Sequence, residues 1–137
     1  MSLILDSSAT LAFLLPDEVT PATYNLLEYI FNHGAIAPTF WRIEVANALT
    51  IAVRRGRITT AQRAEAFADL SKLGIHLEDE HQAWTSAIHL ADHYRLTIYD
   101  AIYLETALRR QQPLATLDRA LIAAAQSEGV SLFLDTY

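Results

Sequence analysis

Cysteine is absent from this chain of 137 residues. That excludes disulfides, cysteine-based zinc sites and thiol catalysis. Glycine is scarce as well: four are scattered along the chain. They fall where helices would stop, and no Gly-rich phosphate loop is formed. No G-x-S-x-G string offers a serine nucleophile elbow. No apolar run approaches the ~20 residues of a membrane-spanning helix. The start, Met1-Ser2-Leu3-Ile4-Leu5-Asp6, has neither a basic region nor a cleavage site. The expectation is a cytoplasmic protein without a signal peptide. Positive charge is the last shortage: 10 Lys and Arg stand against 16 Asp and Glu, for a net charge of −6. Such a balance argues against a nonspecific nucleic-acid coat protein. It does not exclude a nuclease whose acids hold metal.

What is present is enough for a real core. The length fits one domain, spanning 1–137. Hydrophobic residues make up 52%, high enough to leave an apolar surface for a partner. Short β-rich runs alternate with longer amphipathic stretches. The alternation predicts a three-layer α/β/α sandwich around a mainly parallel five-stranded sheet. The predicted strands are Leu3–Asp6, Ala35–Pro38, Ile75–Glu78, Pro113–Thr116 and Val130–Phe133. The predicted helices are Ser8–Leu15, Pro21–His33, Trp41–Arg55, Thr60–Leu73, Gln82–Tyr94, Tyr99–Gln111 and Asp118–Glu128. Pro21 in a first turn and Gly34 past a helix end mark boundaries.

Four acids stand at informative places in this layout. Asp6 ends the first strand. Glu44 lies in the first turns of the helix after the second strand. Asp100 opens a helix, and Asp118 follows the fourth strand. A parallel sheet brings all four to one edge, where α/β folds gather their site residues. Any one of them alone reads as a helix cap or a solvated charge. Together they form an acidic pocket without counter-charge, which a divalent cation would stabilise. Asp6 and Asp100 are expected to ligate directly, Glu44 and Asp118 through water or by positioning the nucleophile. Ser7 is expected to support the site by hydrogen bonding. Thr116 is expected to cap the last helix or orient a water.

Other groupings are weaker. His89 and His93 share a helix face at a zinc-compatible spacing, but no third ligand accompanies them. Arg54, Arg55 and Arg57 form a small basic cluster, and Arg109 and Arg110 another. They are candidates for phosphate contact, against the simpler reading of favourable charge at a helix C-terminus.

The strings that carry these residues are Leu5-Asp6-Ser7-Ser8, Glu44-Val45-Ala46-Asn47-Ala48-Leu49, Tyr99-Asp100-Ala101-Ile102-Tyr103-Leu104 and Leu114-Ala115-Thr116-Leu117-Asp118-Arg119. In this order and spacing the chain resembles the PIN-domain ribonucleases, and among them the VapC-type toxins of bacterial toxin–antitoxin modules. The resemblance runs over nearly the whole chain. It implies a metal-dependent endoribonuclease using Mg²⁺ or Mn²⁺, a homodimer, an RNA substrate such as tRNA or rRNA, and a small VapB-type antitoxin partner. It also implies that Asp6, Glu44, Asp100 and Asp118 are the acidic metal-site positions, with Thr116 beside the fourth. Two rival readings fit less well. A haloacid-dehalogenase-type phosphatase needs an Asp two residues after the first, where this chain has Ser8. A PIN-fold binding or scaffold protein without nuclease activity would be expected to lose acids, and none is lost.

Overall fold

The computed structural model describes residues 2–134. The elements in chain order are β1 (Ile4–Leu5), α1 (Ser7–Leu14), α2 (Pro21–His33), β2 (Ala35–Pro38), α3 (Trp41–Arg54), α4 (Thr60–Ser71), β3 (Ile75–Glu78), α5 (Trp84–Tyr94), α6 (Ile98–Arg110), β4 (Leu114–Ala115) and α7 (Arg119–Ser127). The strands form a parallel sheet in the order β3-β2-β1-β4.

The chain steps from β1 to β2 to β3 in one direction, then returns past β1 to place β4. Right-handed crossovers therefore put α1 to α4 on one face and α5 to α7 on the other. The helix contacts agree: α1 packs on α2 and α3, α5 on α6, and α6 on α7. The reversal makes β1 and β4 neighbours at the topological switch point. Just beyond their carboxyl ends a parallel sheet leaves a crevice.

The centre of the core is α6. Its residues Ala101 to Ala107 are all buried, and it packs against β1, β2 and β4. Leu3, Ile4 and Leu5 are fully buried, as a strand covered on both faces requires. At the far end of the sheet β2 and β3 begin beside each other. Gly34 there has φ +77°, and a Cβ on it would lie 2.7 Å from the carbonyl oxygen of Gly74. Gly34 is thus needed for close backbone approach as well as for ending α2.

The expected fifth strand, Val130–Phe133, is reduced to one bridge. Leu132 pairs with Leu114 in parallel, and no further ladder forms among the described residues. The reason lies in β4, which is two residues long because the chain turns away at Thr116 toward the sheet edge. Several ends are shorter than expected. Asp6 leaves its strand to become the N-cap of α1. The helix expected from Tyr99 begins one residue earlier, at Ile98, and is capped by Thr97.

Candidate active site

The crevice at the switch point begins with Asp6, which is 3% exposed. Its Oδ1 accepts the backbone N–H of Ala9 at 2.8 Å, the bond that caps α1. Ser8 Oγ donates to Oδ1 at 2.8 Å, and Thr116 Oγ1 donates to Oδ2. Burial pushes the Asp6 carboxyl up to about 7, against these three hydrogen bonds, and the charge of Asp100 adds to the rise. Desolvation, more than repulsion among the acids, is thus the main stress on Asp6.

Behind Asp6 runs a buried relay. Trp41 Nε1 donates to Thr10 Oγ1 at 2.9 Å, and Thr10 Oγ1 donates to the Asp6 carbonyl oxygen at 2.7 Å. The relay fastens the first turn of α3 to the strand end, and Glu44 lies in that first turn. Glu44 is half-buried, and its Oε1 accepts a 2.6 Å hydrogen bond from Tyr103 Oη. Ser7 hydrogen-bonds the same carboxylate. Burial raises the Glu44 pKa, and both hydrogen bonds oppose that rise. Burial beside Glu44 drives the Tyr103 phenol upward, so it stays a neutral donor.

Asp100 sits in the first turn of α6, just before the stretch that is buried on all sides. Its backbone N–H donates to Thr97 Oγ1 at 3.2 Å. Its carboxyl is pushed up to about 6, first by burial, then by the charges of Asp118 and Glu44. Asp118 is the N-cap of α7, its Oδ1 accepting the N–H of Leu121 at 2.9 Å. The expected cap, Thr116, instead accepts the N–H of Asp118 at 3.1 Å. The hydroxyl of Thr116 is the hinge of the group, since it also touches Asp6 and lies 3.4 Å from Ser8 Oγ. Ser8 in turn accepts the N–H of Leu117 at 2.9 Å, closing β1 onto β4.

The four acids are thus electrostatic neighbours at one edge, and no ion pair among the described residues joins any of them to a Lys, Arg or His. They are gathered rather than closed. Among the described residues no three His, Cys, Asp or Glu side chains converge tightly enough to hold an ion as they stand. Their chemistry nevertheless suits a hard divalent cation. All donors are oxygens; burial raises the carboxyls of Asp6, Glu44 and Asp100, neighbouring acid charges add to the rise at Asp100 and Asp6, and a bound cation would favour the ionised forms.

The basic clusters lie elsewhere. Arg54 and Arg55 end α3, ten residues and more beyond Glu44, or about 15 Å along a helix axis. Arg57 is engaged by Asp17 at 2.9 Å and Glu18 at 2.8 Å. Arg109 and Arg110 are engaged by Glu78. His89 and His93 are exposed on α5 and gain no third ligand among the described residues. Sequence reasoning misses Ser8, Thr10, Trp41 and Tyr103. Ser8 carries a signal, a hydroxyl at the N2 position after a capping Asp. Tyr103 carries none, because its partner is 59 positions away.

The PIN domain family pattern matches residues 3–131. Among solved structures the chain is similar to PAE2754 from Pyrobaculum aerophilum. The identity is 26%, over 90% of this chain and 84% of that one, with a TM-score of 0.68. No curated protein sequence matches this one.

Proposed function

Because this chain belongs to the PIN domain family, whose members are generally metal-dependent nucleases, we propose that it is a Mg²⁺- or Mn²⁺-dependent endoribonuclease and the toxin of a toxin–antitoxin pair. The observation that carries the reading is the set of four acids at the switch-point edge with no basic partner among the described residues. Asp6, Glu44, Asp100 and Asp118 would hold the cation. When bound, it would supply Lewis-acid neutralisation of phosphate charge and a more acidic water for hydrolysis of the phosphodiester bond.

The chain's own residues do the rest by holding still. Ser8, Thr116 and the N–H of Ala9 fix both oxygens of Asp6. Tyr103 and Ser7 orient Glu44. The Thr97 cap holds the turn that presents Asp100. Asp6 and Asp100 have carboxyls raised to about 7 and about 6, so near neutrality a cation competes with a proton for them.

An antitoxin of this toxin would set an Arg or Lys against Asp6, Glu44 and Asp100, in competition with metal. The chain would act as a homodimer, which light scattering at micromolar concentration tests. No helix among the described residues is long and apolar enough to cross a membrane.

The experiment is incubation with total tRNA and rRNA in Mn²⁺ and in EDTA. Discrete fragments in Mn²⁺, none in EDTA, and none from Asp100→Asn are expected. Fragments that persist in EDTA, or that Asp100→Asn makes at the wild-type rate, would refute the assignment.

A further inference from the structure

Tyr103 is 1% exposed and belongs to the most buried helix of the molecule. Its ring is wedged edge-on against Phe40, with centroids 5.5 Å apart. Phe40 immediately precedes α3 and meets Tyr99 edge-on as well, at 5.1 Å. The ring is thereby fixed from the β2–α3 junction, and α6 fixes its backbone. Its hydroxyl reaches out of the core and donates to Glu44 Oε1 at 2.6 Å.

A buried phenol needs a partner, and a core position is more cheaply filled by Phe when no partner is near. Here the hydroxyl spans from α6 to α3, the two helices that carry Asp100 and Glu44. Asp100 and Tyr103 are three residues apart on α6, so they share a face of that helix. One rigid turn of α6 thus presents an acid and the clamp for a second acid. Glu44 has the longer side chain and more rotamers to lose than an Asp. Left free it would swing away from the other acids, as their repulsion favours.

We propose that Tyr103 is a positioning residue of the metal site: its hydroxyl locks the Glu44 carboxylate in the rotamer that keeps it beside Asp100. The inference rests on the metallonuclease reading above. Tyr103 touches neither metal nor RNA in this role. It lowers the entropy lost when Glu44 engages a cation, as groups that orient metal ligands do elsewhere. Ser7, the other hydrogen-bond partner of Glu44, restrains the same carboxylate from the start of α1.

The test is a double-mutant cycle read by Mn²⁺ binding, measured from the free-ion electron paramagnetic resonance signal without RNA. The proteins are wild type, Tyr103→Phe, Glu44→Gln and the double variant, with folding checked by circular dichroism. Tyr103→Phe keeps the ring and its packing, and it should weaken Mn²⁺ binding about tenfold. In the Glu44→Gln background the same change should do almost nothing, because the carboxylate it orients is gone. Ser7→Ala, at a site outside the core, should shift affinity in the same direction by less. Nuclease assays should then show kcat falling at saturating RNA with KM little changed. Unaltered Mn²⁺ affinity in Tyr103→Phe would overturn the proposal alone. So would an equal loss in both backgrounds, which would mean that Tyr103 acts through general packing. Should Tyr103→Phe fail to fold, unchanged affinity in Ser7→Ala overturns the locking of Glu44, and a loss confined to the Glu44 background upholds it. A wild type that binds no Mn²⁺ would instead bring down the metal-site reading itself, and this proposal with it.

Discussion

Two acidic regions of this molecule are built in opposite ways. At the side of the sheet, Glu78 is gripped by Arg109 at 2.9 Å and Arg110 at 2.8 Å, and Arg109 also holds the buried Glu105 at 2.6 Å. Asp17 and Glu18 share Arg57 in the same manner. At the switch point, Asp6, Glu44, Asp100 and Asp118 receive hydroxyls and backbone N–H groups, and among the described residues no arginine. The electrostatic consequence has opposite sign. The arginines hold the Glu78 and Asp17 carboxyls below their ordinary values. Burial lifts Asp6, Glu44 and Asp100 above theirs. A chain able to place arginines beside its acids leaves one group of four without them among the described residues. Acids raised by burial and left without basic partners in one place are the pattern expected of a candidate functional site.

The hardest blow to that contrast is neutralisation at the switch point. Asp100→Asn should lower Mn²⁺-dependent RNA cleavage on the order of 10²–10³-fold or more, with the circular dichroism spectrum unchanged. Near wild-type cleavage would place Asp100 with the structural acids. Asp6→Asn should be as inactive.

The next largest effect is on stability against pH, in metal-free buffer. Asp6 and Asp100 bind protons more tightly when folded than when unfolded. Their contribution is therefore full below the unfolded value of 3.8 and is lost as pH rises through about 6 and about 7. For Asp6 alone the loss is on the order of 4 kcal/mol. Asp17 and Glu78 run the other way: their contribution is present above the unfolded values and is lost as pH falls through the lowered ones. Urea melts from pH 4 to 8 should show the decline in wild type and a flatter curve for Asp6→Asn. At pH 7.5 Mn²⁺ should restore wild type much more than the variant. Parallel curves for the two proteins would mean that Asp6 is a helix cap and nothing more.

A smaller loss is expected on the arginine-bearing side. Arg109→Ala leaves Glu105, whose side chain is 7% exposed, as a buried charge without its partner. Denaturant unfolding should register about 2–3 kcal/mol of destabilisation, with Mn²⁺ affinity unchanged. A change in metal affinity would show the two regions to be coupled. Smallest of all is Arg57→Ala, whose ion pairs with Asp17 and Glu18 are exposed. It should move the melting temperature by only about 1–3 °C. A larger drop would mean that this link clamps the Pro16 turn onto the loop before α4.

Only the switch-point half of this contrast is legible in the amino-acid sequence. Asp6, Glu44, Asp100 and Asp118 are placed by helix and strand signals that lie within a few residues of each, and the alternation of elements makes a parallel sheet the natural expectation. The arginine partners are not legible, since Glu78 and Arg110 lie 32 positions apart. The same holds for Tyr103 and Glu44. The strands β1 and β4 end sooner than their apolar runs suggest, because Asp6 and Thr116 leave the ladder to serve caps and side-chain bonds. The expected strand at Val130–Phe133 fails for lack of a long neighbour: β4 offers two residues, and one bridge results.

The double duty of Asp6 has a consequence for genetics. The oxygen that caps α1 belongs to the carboxylate of the acidic edge. A screen for alleles without nuclease activity would recover Asp6 substitutions by two routes, a silenced site or a chain that folds poorly and is degraded. Asp100 offers no such confusion, because Thr97 does the capping on α6. An inactive allele that still folds is therefore better made at Asp100 than at Asp6.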